Sequence, residues 1–365
     1  MQTPVPKKGK KIIYVSPYYD PAVPSGANRR FDEICSRLAK DFGENFTLVV
    51  SQGKTPSWWT GGNLEEVDYR FSHATKFSSA REIAQILDAK EPSIVIMESI
   101  PIPFRALKRH LHIQTAYDFR YFHSFSKSAL YRLLFTNFLK RQWRRCQYIL
   151  TCSEFSIDEL ERFVGFPRER VIKSFFGINE KIFDTPRSGE KEYDIIYVGH
   201  FDRHKNHAPL IDALALLDKS LKVLFIGVDN GLESSLKERA TRHGLSNVEF
   251  KTVRDEKKVW EYYTKSKLFV SPSLYEGFGM PTIEALALGL PATISDIQVF
   301  HEVGGDLVTY FDPTDPKDIA SKISNALKSG DIPPQEQVKA QLEQFLWKNI
   351  YRKFLSDISN LTLGA

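Results

Sequence analysis

The chain has 365 residues, 42% of them hydrophobic and 26% charged, with a net charge of +5 at pH 7. That length exceeds what one hydrophobic core usually supports, so two domains are expected. The composition is that of a globular protein and excludes disordered, collagen-like and disulfide-built classes. No run of about 18 apolar residues occurs, so no segment is expected to span a membrane. The basic N-terminus precedes an apolar run, Ile12–Val15, too short for a secretion signal, and a cytoplasmic location is expected. Cys35, Cys146 and Cys152 form no even set and have no metal-like spacing, which fits a reducing compartment. The charge is uneven. From Pro101 to Leu150 ten Lys or Arg stand against one acid, Asp118, a local +9 that could face anionic lipid, a phosphate-bearing acceptor or nucleic acid.

In chain order, Lys11–Ser16 reads as a buried strand, followed by a loop over 17–26 and a helix from about Asn28 to Lys40. This is a Rossmann-type opening, but the fingerprint G-x-G-x-x-G is absent, which argues against NAD or FAD. Further strands are expected over Asn45–Val50, Val67–Phe71, Ser93–Met97 and His112–Ala116, with a helix from about Ser79 to Ala89. Trp58 and Trp59 lie in the loop between Ser51 and Asn63. They either stack on an acceptor sugar or tuck onto the core, and the second reading is favoured. Tyr131–Cys146 reads as an amphipathic helix, with Tyr131, Leu134, Phe135, Phe138 and Leu139 as its apolar stripe. Lys140, Arg141, Arg144 and Arg145 crowd its last turns, where the helix dipole favours cations. The stripe reads as core before it reads as a membrane face. Gln147–Ser153 and Ile157–Phe163 repeat strand and helix.

Asp184–Glu192 is polar and charged, a linker by composition. The alternation restarts with the strand Tyr193–Val198, the loop Gly199–Asn206 and a helix to Leu217. Strands over Leu221–Gly227 and Val248–Thr252 flank a helix ending at His243, and Glu256–Thr264 is helical. Lys267–Ser271 then opens the most informative stretch, Ser271–Pro291, SPSLYEGFGMPTIEALALGLP. After the strand comes a loop in which Gly277 and Gly279 bracket Phe278, then Pro281 at a helix start, then a stop at Gly289 and Pro291. Strand, Gly-containing loop and helix N-terminus aim bare backbone N–H groups at an anion. Glu276 and Glu284, eight residues apart, add carboxylates able to accept from sugar hydroxyls, and together these features suggest a nucleotide-sugar site. Pro291–Ser295 is a further strand, and helices are expected over Asp315–Lys328, Gln335–Phe345 and Leu346–Leu361.

Glu276–Ala285, EGFGMPTIEA, continuing to Gly289 and Pro291, resembles the E-x7-E signature of retaining glycosyltransferases of family 4. The resemblance implies the α/β GT-B fold: two Rossmann-like domains with parallel sheets facing a central cleft. It implies an acceptor-binding domain over 1–185, a nucleotide-sugar-binding domain over 186–345, and a helix over 346–365 that crosses back to the first domain. On this resemblance Glu284 holds the ribose hydroxyls and Glu276 the sugar hydroxyls, with the backbone of Phe278, Gly279 and Met280 beside the donor. Lys205 ends a Gly loop in the family's Lys-Asn pattern and pairs with the diphosphate. His200 follows Gly199 where many members have Arg, so Arg203 is expected to supply the second cation. Val253 is expected against the base. Ser25-Gly26-Ala27-Asn28-Arg29 resembles the family's Gly-Gly-x-x-Arg with Ser for the first Gly, which places Gly26 and Arg29 at the donor. Where members often carry His-Asp this chain has Tyr117-Asp118, so Asp118 is an active-site candidate, Tyr117 occupies the place of the His, and His123 either substitutes for it or, the favoured reading, is a surface histidine.

The implied activity is hexosyl transfer with retention, best read as mannose from GDP-mannose to a glycan or lipid-linked acceptor, with UDP-hexose donors as the alternative. No metal or other cofactor is implied, since Asp-x-Asp is absent and cationic side chains take its place. Peripheral membrane contact through 101–150 is a further expectation, and nucleic acid is not an expected partner. A GT-B epimerase and a non-catalytic nucleotide-sugar binder are the competing classes. The joint presence of Lys205, Glu276 and Glu284 disfavours the second.

Overall fold

A computed structural model describes residues 10–23, 25–69, 73–123, 129–187 and 189–361. They fall into two units, Met1–Phe176 with Trp347–Ala365, and Gly177–Leu346. In the first, seven short strands form one parallel sheet: β1 (Ile12–Ser16), β2 (Phe46–Ser51), β3 (Asn63–Val67), β4 (Ile94–Met97), β5 (Leu111–Thr115), β6 (Tyr148–Thr151) and β7 (Val171–Lys173). Their order is β3-β2-β1-β4-β5-β6-β7. IIYVS, FTLVVS and IVIM are buried along their whole length, the near-continuous apolar pattern of a parallel sheet covered on both faces.

The covering helices are α1 (Gly26–Phe42), α2 (His73–Ala89), α3 (Ala129–Trp143) and α4 (Glu154–Val164). Ser25 caps α1 by accepting from the N–H of Asn28, and Phe31, Ile34, Cys35 and Leu38 form its buried stripe. The C-terminal helix, Trp347–Ser359, enters the same core with Trp347, Ile350, Tyr351, Phe354, Leu355 and Ile358, all on one helical face. Its Tyr351 hydroxyl donates to Asp41 at 2.7 Å. Trp58 and Trp59 pack against this core, and the Trp58 indole N–H donates to Asp32 at 2.6 Å.

The second unit repeats the plan. Strands β8 (Tyr193–Val198), β9 (Val223–Ile226), β10 (Val248–Lys251), β11 (Ser266–Ser271), β12 (Ala292–Ser295) and β13 (Thr309–Phe311) are ordered β10-β9-β8-β11-β12-β13, all parallel. Each sheet steps outward from its first strand and then switches direction, the doubly wound order. The helices are α5 (His207–Leu214), α6 (Glu233–Arg242), α7 (Glu256–Thr264), α8 (Met280–Ala287), α9 (Gln298–Gly304), α10 (Pro316–Ser329) and α11 (Gln335–Leu342).

Several segments depart from the sequence expectations. The strand expected at 67–71 instead ends at Val67, and residues 70 and 71 lie outside the described residues. β3 is an edge strand, NLEEV, whose charged residues hide it from an apolar pattern. β7 and β13 are three-residue edge strands and α9 has seven residues, too short to show a period. The polar segment 184–192 does not divide the units. Residues from 177 onward pack within the second unit, where the Ile178 N–H donates to the Phe345 carbonyl at 2.8 Å and Lys191 Nζ to the Thr264 carbonyl at 2.8 Å.

Because Trp347 is 4% exposed in the core of the first unit, Trp347→Ala should cost that unit about 3–5 kcal/mol. Urea unfolding followed by hydrogen exchange in β1 and β2 measures it, and a transition unchanged in midpoint would contradict this packing.

Candidate functional site

In the second unit, β8 and β11 are adjacent and parallel, so the loops after them leave the sheet side by side at its carboxyl edge. A backbone hydrogen bond ties these loops, Leu274 N–H to the His204 carbonyl at 2.8 Å. Lys205 closes a short 3-10 turn, Arg203–Lys205, after which Asn206 adopts a left-handed conformation. The turn aims the ammonium at the second loop, where Lys205 Nζ lies 2.6 Å from Glu276 Oε1. Ser273 Oγ donates to the same oxygen at 2.8 Å. Both charged side chains are largely sheltered, at 16% and 12% exposure. In such surroundings each charge stabilises the other, and removing one leaves its partner uncompensated.

Glu276 leads into α8. Gly279 caps that helix at φ 96°, and a Cβ there would lie 2.6 Å from the ring of Phe300, so only glycine fits. Phe278 and Met280 are buried, and Phe278 packs edge-on against Phe345 at 5.4 Å. Their side chains point into the unit, leaving backbone as what this loop offers. Pro281 is the second residue of the helix, inside the first turn where a missing N–H costs nothing. Glu284, 3% exposed, has the Tyr263 hydroxyl 3.5 Å from Oε2, and the same hydroxyl donates to the Pro281 carbonyl at 3.3 Å. Gly199 follows β8, and its carbonyl packs so closely on Gly227, after β9, that a Cβ on Gly227 would collide with it. The His200 carbonyl accepts from the Tyr197 hydroxyl at 3.4 Å, and Arg203 is exposed. Val253 follows β10, three strands from β11, or roughly 14 Å along the same edge. Gly199, His200, Arg203, Lys205, Val253, Glu276, Phe278, Gly279 and Met280 therefore come from loops or a helix start at one end of one sheet, with Glu284 a turn into α8.

The remaining candidates belong to the first unit. Gly26 opens α1, and Arg29 is half-buried beside it. The fully buried arginine is its neighbour Arg30, which donates to the Phe175 carbonyl at 2.7 Å, Ser174 Oγ at 2.9 Å and the Tyr117 hydroxyl at 3.0 Å. Tyr117 is thus committed to Arg30. Glu98, just past β4, accepts from the Tyr14 hydroxyl at 2.8 Å and Ser16 Oγ at 2.5 Å, and burial raises its carboxyl pKa. Asp118 accepts from the Arg120 N–H at 2.8 Å and pairs with its guanidinium at 3.1 Å. His123 pairs with buried Glu159 at 2.5 Å.

Sequence reasoning missed Ser273, Tyr263, Arg30 and His207. Ser273 carries a local signal, three residues before Glu276 in one loop; Tyr263 and His207 are joined to the site only by the fold, and Arg30 belongs to the first unit. His207 sits beneath the Lys205 turn, 2% exposed, edge-on to Tyr197 at 4.5 Å and Phe201 at 5.3 Å. Burial, with repulsion from Lys205 and His204, lowers its pKa from 6.5 to about 3.

The two-unit architecture is that of the GT-B fold. It resembles, for example, HepE from Anabaena in complex with UDP and glucose, with TM-score 0.75 and 15% identity over 96% of this chain and all of that one. Residues 178–344, which lie within the second unit, match the family of Glycosyl transferases group 1. Relatives include O-antigen chain mannosyltransferase B of Escherichia coli, 28% identical over 55% of this chain and 57% of its own length. O-antigen chain mannosyltransferase RfbU of Salmonella typhimurium is 29% identical over 58% of this chain and 59% of its own length. The chain thus spans under two thirds of the length of these relatives.

The His207 environment has a pH signature. Its folded pKa of about 3 lies below the value of 6.5 it would take unfolded. Between those limits the unfolded chain binds a proton that the folded unit excludes. Stability should therefore fall as pH falls through this window, by up to about 1.4 kcal/mol per pH unit. Comparing urea midpoints at pH 7 and pH 5 for the native chain and His207→Phe tests this, and the variant should show the smaller drop.

Proposed function

We propose that this protein is a retaining glycosyltransferase that moves mannose from GDP-mannose to a hydroxyl of a glycan or glycoconjugate acceptor. The observation that carries the reading is the Lys205–Glu276 pair at the carboxyl edge of the second unit's sheet, within the residues that match the group 1 family and beside the N-terminus of α8. An ammonium has three donors. One is held by Glu276, which leaves two for diphosphate oxygens. Arg203, exposed in the same turn, adds a second cation, and together they would neutralise the leaving group as its bond to the anomeric carbon loosens. No metal is required in this scheme. Glu276 Oε1 is engaged by Lys205 and Ser273, and Oε2 would accept from sugar hydroxyls. Glu284 would take the ribose hydroxyls, and the backbone of Phe278, Gly279 and Met280 would line the donor beside Gly199 and His200, with Val253 at the base. Gly26, Arg29 and Asp118 would serve from the first unit. The choice of mannose follows the mannosyltransferase names of the sequence relatives. A UDP-hexose donor is the second reading, favoured by the UDP and glucose held by HepE.

Lys205→Ala should weaken nucleoside diphosphate binding by about 1.5–3 kcal/mol, the worth of a charged hydrogen bond. Calorimetry reads this directly, and unchanged affinity would remove Lys205 from the site. Glu284→Gln should lower nucleoside affinity and leave the fold intact; loss of folding instead would make Glu284 a structural residue. Titration with GDP-mannose, UDP-glucose and UDP-galactose separates the two donors, GDP-mannose being expected tightest.

A further inference from the structure

In the first unit the chain steps outward from β1 to β2 and β3, then starts again at β4 on the other side of β1. At such a reversal the loops leaving the two strands diverge and open a crevice at the carboxyl ends, where open parallel sheets take ligands. In the second unit the equivalent position lies between β8 and β11, and the Lys205–Glu276 pair stands there. In the first unit it holds a carboxylate. Glu98 directly follows β4, and its N–H donates to the Val15 carbonyl at 2.8 Å, which keeps it in register with β1.

Glu98 is gripped from the protein side and open on the other. The Tyr14 hydroxyl donates to Oε1 at 2.8 Å and Ser16 Oγ to Oε2 at 2.5 Å, and both donors are buried whereas Glu98 is only half-buried. Each carboxylate oxygen keeps a lone pair for a ligand. Burial raises the carboxyl pKa, opposed by the two hydroxyls and by Arg30. Arg30 itself donates to three uncharged groups, so Glu98 is the carboxylate that balances it at one remove. A charge balanced in this way gains little from a second cation and repels a phosphate. Among the described residues it belongs to no cluster of three metal-ligating side chains. A neutral hydroxyl suits it, since that donates a charge-assisted hydrogen bond without bringing another charge into the crevice. Asp118, after β5, is by contrast already paired with Arg120.

We propose that Glu98 is a specificity-determining residue of the first unit, its carboxylate accepting from one hydroxyl of the acceptor sugar. It would select acceptors by whether that hydroxyl is present and where it points, as sites built to receive a hydroxyl do. The inference deepens the proposed function and rests on it, since it takes the hydroxyl-bearing ligand to be the acceptor. Nucleotide binding involves the second unit and needs no acceptor, so the two ideas fail on different measurements.

The test uses the full chain with the nucleotide sugar it binds tightest and, as acceptor probes, p-nitrophenyl α-mannoside, α-glucoside and α-galactoside. Transfer to at least one is expected. One monodeoxy analogue of the best probe, lacking the hydroxyl that Glu98 receives, should lose about 10- to 100-fold in kcat/KM, the worth of one charged hydrogen bond. Glu98→Ala should lose the same factor on the parent glycoside and little more on that analogue, whereas loss of a merely structural residue would lower both equally. Glu98→Gln keeps the size of the side chain should the alanine variant not fold, and it should lose several-fold on the parent with the same non-additivity. Losses that multiply, a variant as active as the native chain on the parent, or no transfer to any probe by a chain that binds the nucleotide sugar would overturn the inference. Failure to bind any nucleotide sugar would overturn the proposed function, and this inference with it.

Discussion

Parallel strands that are neighbours in a sheet must send the loops after them to the same end, however far apart they lie in the chain. That constraint brings Lys205 to Glu276, 71 residues later, because β8 and β11 pair directly. Neither residue could be held so firmly by its own loop. The backbone bond from Leu274 to the His204 carbonyl locks the loops to each other, and Ser273 fixes the carboxylate from the other side. The pair therefore stands as a preformed, sheltered couple whose cost of ordering has been met by folding.

Beneath the pair, the site is supported by apolar packing. Phe278 on Phe345, Phe300 under Gly279, and His207 among aromatic rings leave the loops little room to shift. Neither ring nitrogen of His207 has a hydrogen-bond partner. A phenylalanine would fill the space without that penalty. The first unit places its polar investment differently: Arg30, Tyr117, Ser174 and the Phe175 carbonyl form a buried network near the strand ends, with Glu98 held alongside by Tyr14 and Ser16.

Much of this was legible in the sequence. Two rounds of strand–helix alternation are visible because buried parallel strands are apolar throughout, and Tyr193–Val198 and Glu256–Thr264 fall where the pattern puts them. Edge strands were harder to see: β3 is too charged, and β7 and β13 are too short. At the site, the Gly-Phe-Gly loop and helix start are local chemistry and can be read off directly. Contacts such as Tyr263 with Glu284, 21 residues apart, leave no mark on the sequence. Of the stripe expected in α3, Leu139 is buried and Phe135 and Phe138 are half-buried, but Tyr131 and Leu134 are exposed. A helix with apolar groups on more than one face gives no period that says which face is inward, and Trp143 decided it.

The helix Trp347–Ser359 completes the hydrophobic interior of a unit whose other elements all precede residue 177. During synthesis that interior must wait, open along one side, while some 170 residues of another unit emerge from the ribosome. The Gly177–Leu346 unit has all its strands and helices in one continuous run and can fold as soon as it is clear. The N-terminal half, although made first, is the one that must be finished last.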